Sequence, residues 1–353
     1  MYKKLEMSNF RGFKEFTIDL KPITLISGKN NTGKTSILES LFLFHDYANP
    51  AAFWKLLDFR GVKEVEPTAQ MLWEPLFHQM NMENPIELKL NNTYFLRLNK
   101  NQQYALSDQN KRIWNGALNL SSANYALSCA FSREGNRFNG EYIFGNERIS
   151  NNMVLLSRED SQVQPNDELI QFFGPHTEPT DQTIHNWFGR NELSRKNGKL
   201  VEMLSIIDSD IMDIKSIPIG SSSVLYYTKK DNTMLPIYII GDGMKKLLYI
   251  ALAMLTNPGC ILLLDEVENG LHYSLHALFW EAISTLATQL HCQIIATTHS
   301  YECIQGAVDG IKAAKLEDDF TYVRLDKNSM GVIPKTFSSD MLERALDTDW
   351  EVR

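Results

Sequence analysis

The chain has little cysteine. Cys129, Cys260, Cys292 and Cys303 are the only four in 353 residues, and no two make a C-x-x-C pair. Usage this sparse argues against a disulfide framework and points to a reducing, cytoplasmic compartment. Cys260 and Cys292 each lead into an apolar run, where a thiol serves as a small buried hydrophobe. Long apolar stretches are missing as well. The longest helical one, Leu247 to Leu255, falls well short of the ~20 residues that span a bilayer, so no membrane partner is expected. The first residues are charged and strand-like, unlike a signal peptide. Positive charge is not in excess: 35 Lys and Arg face 43 Asp and Glu, for a net charge of −8. That excludes a dedicated nucleic-acid coat, although a local basic stripe on an acidic protein can still touch DNA. Internal repeats and low-complexity tracts are absent, and so is H-E-x-x-H. His272 and His276 lie four apart on one expected helix face, a metal-compatible spacing without that motif. What remains is an ordinary soluble composition, 43% hydrophobic and 22% charged. The chain is longer than one minimal domain and too short for three.

One run stands out against this background. Gly28, Lys29, Asn30, Asn31, Thr32, Gly33, Lys34 and Thr35 spell G-x-x-x-x-G-K-T, with Ser36 next. The apolar run Ile23 to Ile26 precedes it, and an apolar helical pattern, Ile37 to Phe44, follows. Strand, loop and helix form the context in which this motif binds a nucleotide. Glycines let backbone N–H groups turn inward around an anion, and the helix N-terminus adds partial positive charge. Lys34 is expected at the β- and γ-phosphates of ATP, and Thr35 at Mg²⁺ through its hydroxyl.

Two further strand ends supply matching chemistry. The apolar run Ile261 to Leu264 ends in Asp265 and Glu266. Asp265 is expected to hold Mg²⁺ directly or through water, and Glu266, one step out of the strand, to polarise the attacking water. Another apolar run, Ile294 to Thr298, ends in His299 and Ser300. A histidine there can hydrogen-bond the γ-phosphate or the attacking water. The expected catalytic set is Lys34, Glu266 and His299.

Residues 1–27 read as three short strands. The phosphate loop and its helix run to about Tyr47, and an aromatic-rich stretch with Phe53, Trp54, Trp73 and Phe77 follows as core. From Ile86 to about Phe144 the apolar period is two, which predicts an antiparallel meander. Residues 160–212 change to helical spacing, with Glu192 to Ile207 as an exposed helix or arm. Strands return over 213–240. From 243 to 353 helix and strand alternate, closing with a hairpin, Tyr322 to Leu325 and Val332 to Phe337. Apolar strands between helices predict a parallel sheet. The expected organisation is an ATPase split into 1–85 and 241–353, with a β meander and helical insertion over 86–240.

Together these residues resemble the ABC-type ATPases of the RecF, SMC and OLD group, and most of all the bacterial OLD-type AAA-family proteins. The likeness is carried by Asn9 to Phe13 (N-F-R-G-F), Gly28 to Thr35, Gly241 to Lys246, Leu262 to His272 and Thr298 to Ser300. The closing segment, Tyr322 to Arg353, resembles the group's ending. The resemblance implies an α/β fold: a P-loop NTPase with an ABC-type ATPase head, an antiparallel β lobe and a helical insertion. It places Gly241, Asp242 and Gly243 as the signature loop, opening the helix from Met244 and facing the γ-phosphate held by a second subunit. Gly241 stands where many members carry serine, and Lys245 or Lys246 is the candidate for compensating charge. Glu268 to His272 falls at the dimer-facing D-loop, with Asn269 among the nucleotide contacts. Arg11 is expected to approach nucleotide phosphates from the first hairpin. The group's Q-loop glutamine has two candidates, Gln70 and Gln79.

The resemblance implies a Mg²⁺-dependent ATPase that forms a homodimer or higher homo-oligomer through its ATP sites. OLD-type relatives often carry a TOPRIM nuclease, but only about fifty residues follow His299, too few for a domain with its own sheet. The expectation is an ATP-driven switch or sensor without a nuclease of its own. It would act on a separately encoded effector, a nuclease or toxin, in bacterial anti-phage defence. Two alternatives stay open. One is a RecF-like repair factor that binds DNA through Arg190, Arg195, Lys196 and Lys199. The other is a nuclease at Asp208, Asp210, Asp213 and Lys215, a cluster that a helix-to-strand turn also explains. The N-F-R-G-F opening argues against a transporter ATPase.

Overall fold

A computed structural model describes residues 1–63, 68–101, 111–113, 125–133, 136–144, 153–158, 169–220, 222–329 and 331–348. The chain opens with a hairpin, β1 (Lys4–Phe10) and β2 (Phe13–Asp19). β3 (Ile23–Gly28) leads into α1 (Lys34–His45), α2 (Ala52–Asp58) and α3 (Ala69–Trp73). Next come β4 (Ile86–Leu90), β5 (Tyr94–Asn101), β6 (Lys111–Ile113), β7 (Tyr125–Arg133), β8 (Asn136–Phe144), β9 (Met153–Arg158) and β10 (Ile170–Phe173). Helices α4 (Asp181–Leu193) and α5 (Asn197–Ser205) precede β11 (Ile211–Ile219), β12 (Ser222–Lys229) and β13 (Met234–Pro236). The chain continues with α6 (Asp242–Thr256), β14 (Ile261–Leu264), α7 (His276–Gln289), β15 (Gln293–Thr297) and α8 (Tyr301–Ala314). It closes with β16 (Phe320–Asn328), β17 (Gly331–Phe337) and α9 (Ser339–Asp347).

The central sheet runs β10-β14-β15-β3-β16-β17. Its neighbours are parallel except for the β16–β17 hairpin. β3, from the start of the chain, therefore lies between two strands from its far end. Leu25, Leu262, Leu264, Ile294 and Tyr322 pack on the side of α4 to α8. Ile26, Ile261, Leu263, Ile295 and Val323 pack on the other side, with residues of α1, α2 and the second sheet. Burial on both faces is why these strands read as unbroken apolar runs.

The second sheet is antiparallel, in the order β2-β1-β4-β5-β7-β8-β9-β6. Leu5 on β1 pairs with Leu90 on β4, so strands on either side of residue 85 share one sheet. Ile86, Leu88 and Leu90 are buried while Glu87 and Lys89 are more exposed, the half-solvated pattern that period two implies. A third sheet, β11-β12-β13, leads to α6. The four cysteines are buried free thiols. Among the described residues no helix is long and apolar enough to cross a membrane.

Three expectations change. Glu192 to Ile207 is not an exposed arm. α4 and α5, broken where Arg195 turns left-handed (φ +57°), bury Phe188, Leu200, Met203 and Leu204 in the same cluster as α6. Lys196 donates to the Leu255 carbonyl at 2.6 Å. The charges in this stretch line its outer side and hide an apolar stripe that α6 covers. Second, the helical spacing expected from residue 160 starts at Asp181. Residues 159–168 lie outside the described residues, and Ile170–Phe173 is a strand pairing in parallel with β14. Third, His272 and His276 share no helix. His272 caps a 3-10 turn at Tyr273–Leu275, and His276, the first residue of α7, is buried. Among the described residues no three His, Cys, Asp or Glu side chains gather as a metal set.

Candidate nucleotide site

Adjacent parallel strands bring their C-terminal ends to one edge, where ligands of open α/β sheets bind. β3 ends at Gly28, β14 is followed by Asp265, and β15 ends at Thr297. The loop after β3 has a shape only glycine permits at two points. Gly28 has φ +144°, and a Cβ there would lie 2.7 Å from the Leu325 carbonyl oxygen. Gly33 has φ +92°, and a Cβ would lie 2.5 Å from Cζ of Phe13. Lys29, Asn30 and Asn31 are exposed at the crest, and the Thr32 hydroxyl donates to the Lys29 carbonyl at 2.9 Å. The Lys34 ammonium curls back on its own loop, donating to Gly28 O at 2.6 Å and Lys29 O at 3.2 Å. Burial lowers its pKa, against the pull of Asp265, Glu266 and Glu268.

Asp265 is the meeting point. Its Oδ2 accepts the Thr35 hydroxyl at 2.8 Å, and its Oδ1 accepts the Thr297 hydroxyl at 2.6 Å. Its backbone N–H donates to Phe173 O at 2.7 Å, fixing the turn out of β14. Burial raises the carboxyl pKa, while the two hydroxyl bonds stabilise the anion. A carboxylate and a hydroxyl oxygen held together form the hard donor set that suits Mg²⁺. Thr35 and Asp265 would hold that ion, which when bound neutralises phosphate charge.

Glu266 has a left-handed backbone (φ +46°), unusual for a residue with a side chain. Its N–H donates to the Thr297 hydroxyl at 2.9 Å. Its carboxylate Oε2 accepts Asn269 Nδ2 at 2.7 Å, so Asn269 orients the carboxylate from within the same loop. Glu268 points elsewhere. Its Oε1 accepts the backbone N–H of His299 at 2.8 Å and faces His299 Nδ1 at 2.9 Å. The histidine ring stays half-exposed with its Nε2 side free of that contact.

The Arg11 guanidinium lies 3.1 Å from Glu39 of α1 and donates to Pro75 O at 3.1 Å. Glu39 is fully buried and also pairs with Arg60, at 2.6 Å, while Arg60 reaches Ser36 Oγ at 3.3 Å. A buried carboxylate inside α1 needs these partners, and Arg11 is drawn to it. Burial lowers the Arg11 pKa, with Glu39 opposing.

Gly241 and Asp242 are exposed at the start of α6, which begins at Asp242, two residues before the expected Met244. Gly243 is buried, and a Cβ there would lie 2.7 Å from Leu271 Cδ2. Lys245 pairs with Asp242 at 3.1 Å. Lys246 instead donates to three backbone carbonyls, Glu266 O, Val267 O and Asn269 O, so its ammonium is not available as free compensating charge. Gln70 donates to Glu74, the residue just past the end of its helix, and Gln79 sits in a short 3-10 turn with φ +53°. Asp213 pairs with Lys215 at 3.0 Å on β11, and Asp208 and Asp210 lie close to Lys229 and Lys230.

Sequence reasoning missed three participants. Thr297 was visible only as one residue near the end of an apolar run. Glu268 was placed on a dimer-facing loop, and its hold on His299 depends on two strand ends coming side by side. Glu39 has no local signal, since an acid in an apolar helical run reads as a surface position until its arginines are known.

The family described as "AAA domain, putative AbiEii toxin, Type IV TA system" matches residues 23–304. The chain belongs to this family. That match runs from β3 into α8 and so takes in the phosphate loop, Asp265, Glu266 and His299. Over 97% of its length the chain is 24% identical to a protein named ATP/GTP phosphatase from Helicobacter pylori, and it covers 97% of that protein. It is 30% identical over 165 residues to an uncharacterized protein of Methanocaldococcus jannaschii, covering 40% of this chain and 71% of that one. In three dimensions it resembles an SMC head crystallised with the C-terminal winged-helix domain of ScpA. The TM-score is 0.52 at 12% identity, over 98% of this chain and 99% of that one. This likeness shows a shared fold, the mixed α/β architecture of an SMC-type ATPase head. The protein is an ATPase of the AAA type.

Proposed function

We propose that the chain is an ATP-driven switch of the OLD type. Mg²⁺ would be held between Thr35 and Asp265, Lys34 would neutralise the β- and γ-phosphates, and Glu266 would orient the attacking water. His299, held by Glu268, would contact the γ-phosphate. The turn at Gly241 to Gly243, exposed at its first two residues, would complete the site of a second copy, with Asn269 nearby. ATP would then bind the closed pair best and hydrolysis would release it, a population shift set by differential affinity. The observation that carries this reading is the division of parts. The phosphate loop and the acids converge on one edge of the central sheet, while Gly241 and Asp242 stand exposed at a helix N-terminus, a ready anion site. The family's description as a putative toxin of a toxin–antitoxin system supports a separately encoded partner; the setting we propose for the pair is anti-phage defence.

Subunit mixing tests the shared site. Lys34→Ala removes the phosphate cation in one chain. Gly241→Glu places a negative charge on the exposed turn of the other, where a Cβ meets nothing within 4 Å and the fold is spared. Each variant alone should hydrolyse neither ATP nor GTP. A mixture regains one intact composite site per heterodimer and should recover part of the parent rate. No recovery at any ratio, with subunit exchange confirmed, would refute the shared site.

A further inference from the structure

Lys246 is engaged on all three of its N–H donors, and the mechanism proposed for the site makes no use of it. It opens the second turn of α6. Its ammonium meets three carbonyls: Glu266 O at 3.3 Å, Val267 O at 2.9 Å and Asn269 O at 3.2 Å. These are backbone acceptors from one short loop, the loop that carries Glu266. That loop is held in a conformation it would not choose alone, since Glu266 is left-handed. An isolated residue with a side chain gives up roughly 1–2 kcal/mol in that region, and it persists only where its surroundings over-determine it. Two other bonds contribute: Asn269 N–H donates to Glu266 O at 3.0 Å, and Glu266 N–H donates to Thr297 Oγ1 at 2.9 Å. Packing joins the same two elements, because Gly243 lies against Leu271 and Gly270 against Asp242.

We infer that Lys246 is a positioning residue for ATP hydrolysis: by clamping three carbonyls of the 266–269 loop it sets the Glu266 carboxylate and makes that loop move as one body with the start of α6. The assignment depends on Glu266 being the residue that orients the attacking water. The chemical logic is that of an ammonium filling an oxygen cage. With three donors satisfied, Lys246 has no proton left for a phosphate. Its positive charge also faces Asp265, Glu266, Glu268 and Cys303, so it offsets the acidic cluster without touching ligand. Any displacement of the Gly241–Gly243 turn would be passed through Lys246 to Glu266. Nucleotide capture by the phosphate loop would not depend on it.

The test is a double-mutant cycle on the full chain with Mg²⁺ and ATP. Lys246→Met, Glu266→Gln and the pair are compared by single-turnover hydrolysis and by equilibrium ATP affinity. Lys246→Met should slow hydrolysis by roughly 10–100-fold, the scale seen when an orienting partner is lost. Affinity should change by less than about threefold, because no phosphate contact is removed. In the Glu266→Gln background the same change should cost nothing further, since Lys246 acts only through Glu266. Multiplicative losses would overturn the inference, as would a loss of affinity equal to the loss of rate. Glu266→Gln hydrolysing at the parent rate would instead remove the role given to Glu266, and the inference with it. Should Lys246→Met melt well below the parent, Lys246→Gln, which keeps amide donors to the loop, goes through the same cycle. There too, no further loss beside Glu266→Gln supports the inference and a multiplicative loss overturns it.

Discussion

The Thr35 hydroxyl donates to Asp265 Oδ2 at 2.8 Å, joining residues 230 positions apart in the chain. This bond closes the site from both ends of the sequence, and it is the bond a Mg²⁺ ion would rearrange. Thr35→Ala and Asp265→Asn should each lower Mg²⁺-dependent hydrolysis by roughly 10²-fold or more, the loss of several kcal/mol of charge stabilisation. A magnesium titration of each variant checks this. Raising Mg²⁺ should rescue Thr35→Ala further than Asp265→Asn, because only the latter loses the anionic ligand.

Glu268 holds the His299 ring and backbone at once. Glu268→Ala frees both, so the ring no longer has a set direction. Hydrolysis should fall roughly 10–100-fold, as for other lost orienting carboxylates, with ATP affinity close to the parent's. If Glu268→Ala turns over ATP at the parent rate, His299 is not positioned by this contact.

Glu39 is a stability residue in the heart of α1. Glu39→Ala strands the guanidinium of Arg11, itself mostly buried, and should destabilise the protein by about 3–5 kcal/mol, the cost of breaking a buried ion pair from one side. Arg60→Ala should cost clearly less, because the Arg60 side chain is 41% exposed and leaves Glu39 with Arg11. Urea unfolding of the two variants gives the comparison.

Lys246 gives the site an alkaline limit. Burial pushes its pKa down to about 8, while Glu268, Cys303, Asp265 and Glu266 pull the other way. Below that pH the ammonium clamp is complete. As pH rises through about 8 the folded protein loses the proton before an unfolded chain would, so hydrolysis should decline. Stability should move the opposite way. The unfolded chain binds more protons between about 8 and the usual lysine value, and folding is favoured as pH rises there. A rate profile spanning neutral to strongly alkaline pH should show the falling limb in the parent and none in Lys246→Met.

The strands of the central sheet were legible because burial on both faces removes polar residues from them, as in Ile261 to Leu264 and Ile23 to Ile26. The phosphate loop was legible because its geometry demands glycine at Gly28 and Gly33 and chemistry at Lys34 and Thr35. β10 was not, because an edge strand is covered unevenly and Ile170 to Phe172 are only partly buried. Helices α4 and α5 gave a helical signal but not their docking, since α6 matches their apolar stripe from far along the chain. Arg11 shows the limit most plainly: its pairing with Glu39, a buried acid in the next helix, is invisible in periodicity.

Phe13 and Gly33 bring the antiparallel sheet against the phosphate loop. Phe13 opens β2 in the antiparallel sheet, is almost wholly buried, and leaves room at residue 33 for nothing larger than a hydrogen. The cradle thus borrows its floor from a layer that supplies none of its reactive groups. Exchanging that ring for a smaller one would loosen the cradle without altering one residue of the phosphate motif. The brace does not end at the hairpin: β1 pairs with β2 on one side and with β4 on the other, so the phosphate loop rests on a strand built into the whole antiparallel layer.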